Sequence, residues 1–199
     1  MTIQNITGKA QWLSVLVLAL SMNFMIVSRA GAVVYDIDPA HSFVEFRILH
    51  LGFSVLKGRF NTVRGVFEYD DKNAATASIQ VEIETASLDS NHAKRDKHLR
   101  GEDFLDVERF PLATFKSVSY KESGREGIVT GDLTLHGVTK RVEIPVMFIG
   151  AGADPWGGQR RGYEGRLEIR RADFGVSHNL GPAAENMTLE FFVEGVARK

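Results

Sequence analysis

Residues 78–84 read SIQVEIE, with Ile79, Val81 and Ile83 falling on one side of an extended chain and Gln80, Glu82 and Glu84 on the other. Side chains alternate across a strand with a period of two, so this stretch describes a sheet with one dry face and one wet face. The rhythm recurs along the chain. IVTGDLTLHG (128–137) puts Val129, Leu133 and Leu135 together, and KRVEIPVMFIG (140–150) keeps Val142, Ile144, Val146 and Phe148 in step. GRLEIRR (165–171) alternates Leu167 and Ile169 with Arg166, Glu168 and Arg170, while NMTLEFFVEGVA (186–197) aligns Leu189, Phe191 and Val193. Near the start, HSFVEFRILH (41–50) has Val44, Phe46 and Ile48 in register, and GVFEYD (65–70) joins Phe67 to Tyr69.

Turn signals fall between these runs: Gly52, Lys57-Gly58, Asp70 to Asn73, Ser123-Gly124, His136-Gly137, residues 150–158 and Leu180-Gly181-Pro182. About eight strands with hairpin-length connections imply an all-β, meandering antiparallel sheet; the pattern alone leaves sandwich and barrel open. Pro145 lies inside one strand and is expected at a bulge or an unpaired position. The glycine-rich GAGADPWGGQRRGYEG (150–165) is expected to form a flexible loop anchored by Trp156. Residues 85–111 lack alternation and read as a helical insertion around 89–100. Asp89 or Ser90 is its expected cap, Gly101 its expected end, and a further turn runs from Phe104 to Val107.

The bulk composition narrows the function. A chain of 199 residues, 44% hydrophobic and 25% charged, suits one packed domain. A net charge of −1 without a basic block argues against a nucleic-acid partner. The absence of cysteine excludes disulfides, thiolate metal sites and a cysteine nucleophile. At the N-terminus, Lys9 precedes a long apolar run, and Ala30 and Ala32 stand where a signal peptidase reads small residues. Residues 1–32 therefore read as a signal peptide cleaved after Ala32. An uncleaved anchor is the competing reading. Cleavage leaves an exported domain, 33–199, that does not span the membrane.

Few places offer chemistry. RDKHLRGEDF (95–104) is dense in charge; on a helix His92 and Asp96 stand one turn apart, but a metal needs three or four ligands and no further donors follow at fixed spacing. The plain reading is a solvated face with Leu88, Leu99 and Phe104 turned inward; a separate reading makes Arg95, His98 or Arg100 a polar rim that meets a ligand head group. The other histidines, His41, His50, His136 and His178, are scattered; His50 continues the parity of Val44, Phe46 and Ile48 and so points inward at a sheet end. No GxSxG elbow, phosphate loop or dinucleotide fingerprint occurs. The inward aromatics suit either a filled core or a barrel with a partly empty lumen. Gly131, Ala113 and Ser117 are small inward residues that would leave room. Spacing does not choose between the two.

Longer stretches carry a resemblance. YDIDPAHSFVEFRILHLGFSVLKGRF (35–60), RDKHLRGEDFLDVERFPLATFKS (95–117), GDLTLHGVTKRV (131–142) and RRADFGV (170–176) resemble, in order, the YceI family of exported lipid-binding proteins. The chain departs from that pattern at Arg170, where the family often has Asn, and at AAENMT before the last strand. The resemblance implies a lipocalin-like, up-and-down, eight-stranded antiparallel barrel with one inserted helix. It implies a periplasmic or secreted carrier, not an enzyme. A polyisoprenoid, quinone-like or other long-chain lipid would lie in the lumen, with no cofactor besides, and a homodimer fits. On that reading Phe46, Phe67, Phe115, Leu133, Ile144 and Phe191 line the lumen, and His50, Arg95 and His98 meet the head group. Asp96 and Asp103 would tie the helix to the rim. Two alternatives remain: an enzyme acting on a lipid-like substrate through His98 or His50 with Asp96, and a stress-related interaction module with a solid barrel.

Overall fold

The computed structural model describes residues 31–199. All but the last two residues of the expected signal peptide lie outside the described residues, as does the apolar run itself. Among the described residues no helix is long and apolar enough to cross a membrane.

The alternating runs become strands, all in one sheet. They are β1 (Val33–Ile37), β2 (Phe43–His50), β3 (Ser54–Phe60), β4 (Val63–Tyr69), β5 (Ser78–Glu84) and β6 (Leu88–Asp89), then, after the helix α1 (Ala93–Leu99), β7 (Leu112–Ser123), β8 (Glu126–Leu135), β9 (Val138–Ala153), β10 (Gln159–Arg170) and β11 (Asn186–Ala197). Eight of them form a ring in the order β1-β4-β5-β7-β8-β9-β10-β11, and β11 returns to β1 through Tyr35–Ala197, Asp36–Val196 and Ile37–Gly195. Every pairing is antiparallel, so the fold is the closed eight-stranded barrel that the resemblance implies. The strands β2, β3 and β6 extend the wall: β2 pairs with the first half of β11, and β3 with β2. One long stave is thus broken between β1 and β2. There the Ser42 hydroxyl donates to the Glu194 carbonyl at 3.1 Å and accepts from the Glu194 N–H at 3.0 Å, replacing the lost ladder.

Both buried clusters lie inside the ring. One gathers Val44, Phe46, Leu133, Leu135, Ile169 and Leu189; the other gathers Tyr35, Ile37, Phe67, Tyr69 and Tyr120. Burying one such side chain is worth roughly 1.5–3 kcal/mol, which makes the inward faces the main source of stability.

Several sequence expectations are corrected. Residues 150–165 are not a flexible loop: β9 runs to Ala153 and β10 starts at Gln159. Glycines at 150, 152, 162 and 165 disguised both strands. The tight turn between them is organised by Asp154, whose carboxylate accepts from the N–H groups of Trp156 (2.9 Å) and Gly158 (2.7 Å). Trp156 does not anchor a loop there: it is 79% exposed, with the Arg160 guanidinium 5.7 Å from its ring centre. Lys57-Gly58 is no turn but the middle of β3. A Cβ on Gly58 would sit 2.4 Å from the Phe46 ring, so the glycine makes room for that ring. The helix starts later than expected and is capped by His92, whose ring accepts from the Arg95 N–H at 3.2 Å, not by Asp89 or Ser90. Gly131 leaves no empty space, because the Phe115 ring occupies it, 2.4 Å from where a Cβ would stand.

Pro145 keeps its place opposite Ile128 of β8, with no bulge; pairing stops only on its other side. The β9–β10 ladder ends at Val146–Gly165, beside a residue with no N–H to extend it. Beyond that point the first half of β9 pairs only with β8, and the last part of β10 only with β11.

Candidate functional site

The lumen is apolar from end to end and divides into two chambers. The larger, about 700 Å3, lies at the end bearing α1, the β2–β3 hairpin and the loop between β10 and β11. The smaller, about 130 Å3, continues toward the other end. Val44, Ile83, Leu133 and Phe191 line both, so they mark the junction. Of the six residues named from the sequence, Phe67, Phe115 and Ile144 line the inner chamber, Phe46 the outer one, and Leu133 and Phe191 both. Strand parity alone brings them together, since each is the inward member of an alternating pair.

His50, Arg95 and His98 all lie at the outer chamber's rim. Their functional groups are already engaged to different degrees. The Arg95 guanidinium donates to the Ser90 hydroxyl at 2.7 Å and to the Ser90 carbonyl. The His98 Nε2 pairs with Asp103 at 3.0 Å, and both side chains are more than half exposed. His50 is the last residue of β2 and is exposed at the chamber's edge.

Asp96 does not partner His98, nor does it reach the barrel wall. It is buried and accepts from the Ser90 N–H at 2.9 Å and from the Ser90 hydroxyl. Burial opposes its charge, but the hydrogen bonds from Ser90 and the helix start, with Arg100 nearby, hold its carboxyl below the usual range. His92 and Asp96 therefore stand apart as cap and anchor, and do not form a pair of metal ligands. Asp103 is shared by His98 and by His178, at 3.8 Å, which ties the helix to the β10–β11 loop. Leu99 and Phe104 turn inward as expected.

Two arginines escaped the sequence reading. Arg171 is buried beside the outer chamber with no acid among its hydrogen-bond partners. It donates to the carbonyls of Ala184 (2.7 Å), Val176 (3.3 Å) and His178 (3.2 Å) and so holds the β10–β11 loop over the rim. Burial lowers its pKa. Arg161 closes the opposite end. Its guanidinium carbon lies 3.4 Å from the Tyr69 ring centre and 4.6 Å from that of Phe148, and it donates to the Tyr163 hydroxyl at 2.6 Å. Tyr69 in turn donates to Glu122 at 3.0 Å. Burial, then the bond to Glu122, pushes the Tyr69 phenol up to about 12 and raises Tyr120 further. Tyr120 faces inward because a bulge at Val118 shifts the register of β7 against β8. The alternation in 159–165 was the only signal for Arg161, and a cation on the inner parity reads as an exception.

Asp38, His41 and Glu194 also bring three potential ligand atoms within 4.8 Å of one another, midway along the wall. Arg160 already donates to Asp38 at 2.8 Å and to Glu194, so its guanidinium fills the cationic place in this cluster.

The YceI-like domain model matches residues 35–195. A UPF0312 protein of Pseudomonas aeruginosa is 48% identical over 181 residues, which cover 90% of this chain and 95% of that protein. Protein YceI of Escherichia coli O157:H7 is 47% identical over 186 residues, covering 92% of this chain and 97% of its own. Among solved structures, a polyisoprenoid binding domain from Saccharophagus degradans superposes with a TM-score of 0.62 at 17% identity, covering 82% of this chain and 98% of that one. At that identity the likeness speaks to the fold alone.

Proposed function

The chain belongs to the YceI-like family, and from that premise we propose that it is an exported, non-enzymatic carrier of a long-chain apolar lipid. The observation that carries this reading is the lumen: open at one end, closed at the other, and lined almost wholly by carbon. An isoprenoid chain in water bears a hydrophobic penalty of roughly 0.8 kcal/mol per CH2-sized group, and a dry lumen removes it. The outer chamber's 700 Å3 lies within the usual range for ligand pockets. At roughly 30 Å3 per small group, about two dozen carbon-sized groups fit, or some four to five prenyl units. The Saccharophagus degradans domain of the same fold is a polyisoprenoid binding domain, which favours that chemistry. The N-terminal segment supports export to the periplasm. A polar head would lie at the rim beside His50, Arg95 and His98, outside the carbon-lined part.

The test is native mass spectrometry of the protein taken from its own host, followed by solvent extraction and identification of what is released. A stoichiometric long-chain lipid is expected. A protein that is empty, and stays empty when offered polyprenyl lipids, would overturn the reading in favour of a solid interaction module.

A further inference from the structure

The β2–β3 hairpin breaks two ordinary rules of turn design at once. Its tip is apolar and exposed: Leu49 is 47% exposed, Leu51 59%, Phe53 86% and Val55 43%. Its turn is closed by the Phe53 N–H donating to the His50 carbonyl at 2.9 Å, with φ of +53° at Leu51 and +79° at Gly52. A turn with both central residues at positive φ favours Asn-Gly. A bulky aliphatic residue in the left-handed region is strained. Here the chain places a leucine at that apex, in water.

The location gives these features a use. Leu49 and Leu51 also line the outer chamber, so the tip and the lumen share one continuous apolar surface. Resting on the lipid-carrier reading above, we propose that this hairpin tip docks on a lipid bilayer and seats the open mouth of the lumen against it. A lipid then passes between bilayer and lumen along carbon, without crossing water.

A second copy of the chain is the competing occupant. A whole aromatic side chain offers roughly 150–250 Å2, so this tip presents only a few hundred Å2. A stable interface needs about 800 Å2 from each partner. The tip is also convex, a shape that needs a matching groove on a protein but none on a fluid bilayer. Charge at the rim is mixed, with Lys94 and Lys97 on α1 beside Glu102 and Asp103. Docking therefore rests on apolar insertion and weakens little with salt.

The experiment is flotation with vesicles of phosphatidylethanolamine and a minor share of phosphatidylglycerol, using the protein in the form its host makes. The variant is Phe53→Ser with Val55→Thr. Both side chains are exposed and neither lines the chambers, and threonine suits a strand, so neither the fold nor the lumen is at risk. Wild type should float with the vesicles, and the variant should float about tenfold less. Native mass spectrometry should find the same bound lipid in both. Equal flotation of the two, or none by wild type, overturns the proposal. So does a variant that has lost its lipid, because the tip would then belong to the lumen's closure. A wild-type dimer that the variant turns into a monomer assigns the tip to a second copy instead. If neither protein holds lipid but only wild type floats, docking stands and the carrier reading fails.

Discussion

The two ends of the barrel solve opposite problems with similar residue types. At the closed end, Arg161, Tyr69, Tyr163 and Glu122 satisfy one another: the cation lies on aromatic faces, and the phenols find an arginine or a carboxylate. At the open end the polar groups bind their own neighbourhood: Asp96 to Ser90, His98 to Asp103, and Arg171 to three backbone carbonyls. Those contacts hold a helix and a loop around an opening without filling it. Stability is concentrated where side chains interlock across the ring, and access is kept where they tie only the rim in place.

That contrast can be broken in order of effect. Leu133→Trp places a large ring at the junction of the two chambers. Bound lipid, read by native mass spectrometry, should fall below about a tenth of the wild-type level. Overpacking should cost about 1–3 kcal/mol, and the circular dichroism spectrum should be unchanged. Full lipid retention would mean that the chain does not lie against Leu133.

Arg171→Met leaves three carbonyls without their donor at the open end. Urea denaturation should show a loss of about 3 kcal/mol. Hydrogen exchange should speed up across residues 176–184 first, since the arginine holds that loop; a uniform increase would count against a local role.

Arg161→Leu tests the other end. It removes a cation–π stack and the hydrogen bond to Tyr163, at about 1–2 kcal/mol by the same denaturation assay. Lipid retention should stay near wild type, because the plug lies beyond the occupied chamber. Loss of lipid here would show that the chain reaches the closed end.

The smallest effect belongs to neither end. His41, then Arg160, hydrogen-bond to Asp38 and hold its carboxyl at about 2, below its ordinary 3.8. Its contribution is present above the unfolded value and is lost as pH falls from about 4 through about 2. Solvent screening keeps this to about 1 kcal/mol. Asp38→Asn should flatten the acid limb of the stability curve in that window and leave neutral pH binding unchanged.

Much of this architecture was legible from period-two alternation. The strand β5 spans residues 78–84 and β11 residues 186–197, the same limits the pattern gives. The lumen-facing parity of Phe46, Phe67, Phe115, Leu133, Ile144 and Phe191 followed from the same rule. What hid was whatever breaks the rule for a local reason. Gly58 resembles a turn signal, but it yields space to Phe46. Glycines in the β9–β10 hairpin masked strands whose pairing is specified by backbone and by Asp154. The bulge at Val118 moved Tyr120 to the inside, and inward Arg161 looks polar until its aromatic bed is known. Helix capping by His92 lies outside the usual set of Ser, Thr, Asp and Asn.

The parting of β9 and β10 below Pro145 bears on how wide the barrel can be. Around the rest of the ring, a change of girth would break a register of hydrogen bonds. Along this stretch only side chains meet, with Val142 packed in the same cluster as Leu167 and Ile169. Methyl groups slide past one another at little cost. The hoop has one unfastened length, and it runs beside the outer chamber. A change of bore along this length would therefore break no backbone hydrogen bond, whereas elsewhere around the ring it would break the ladder.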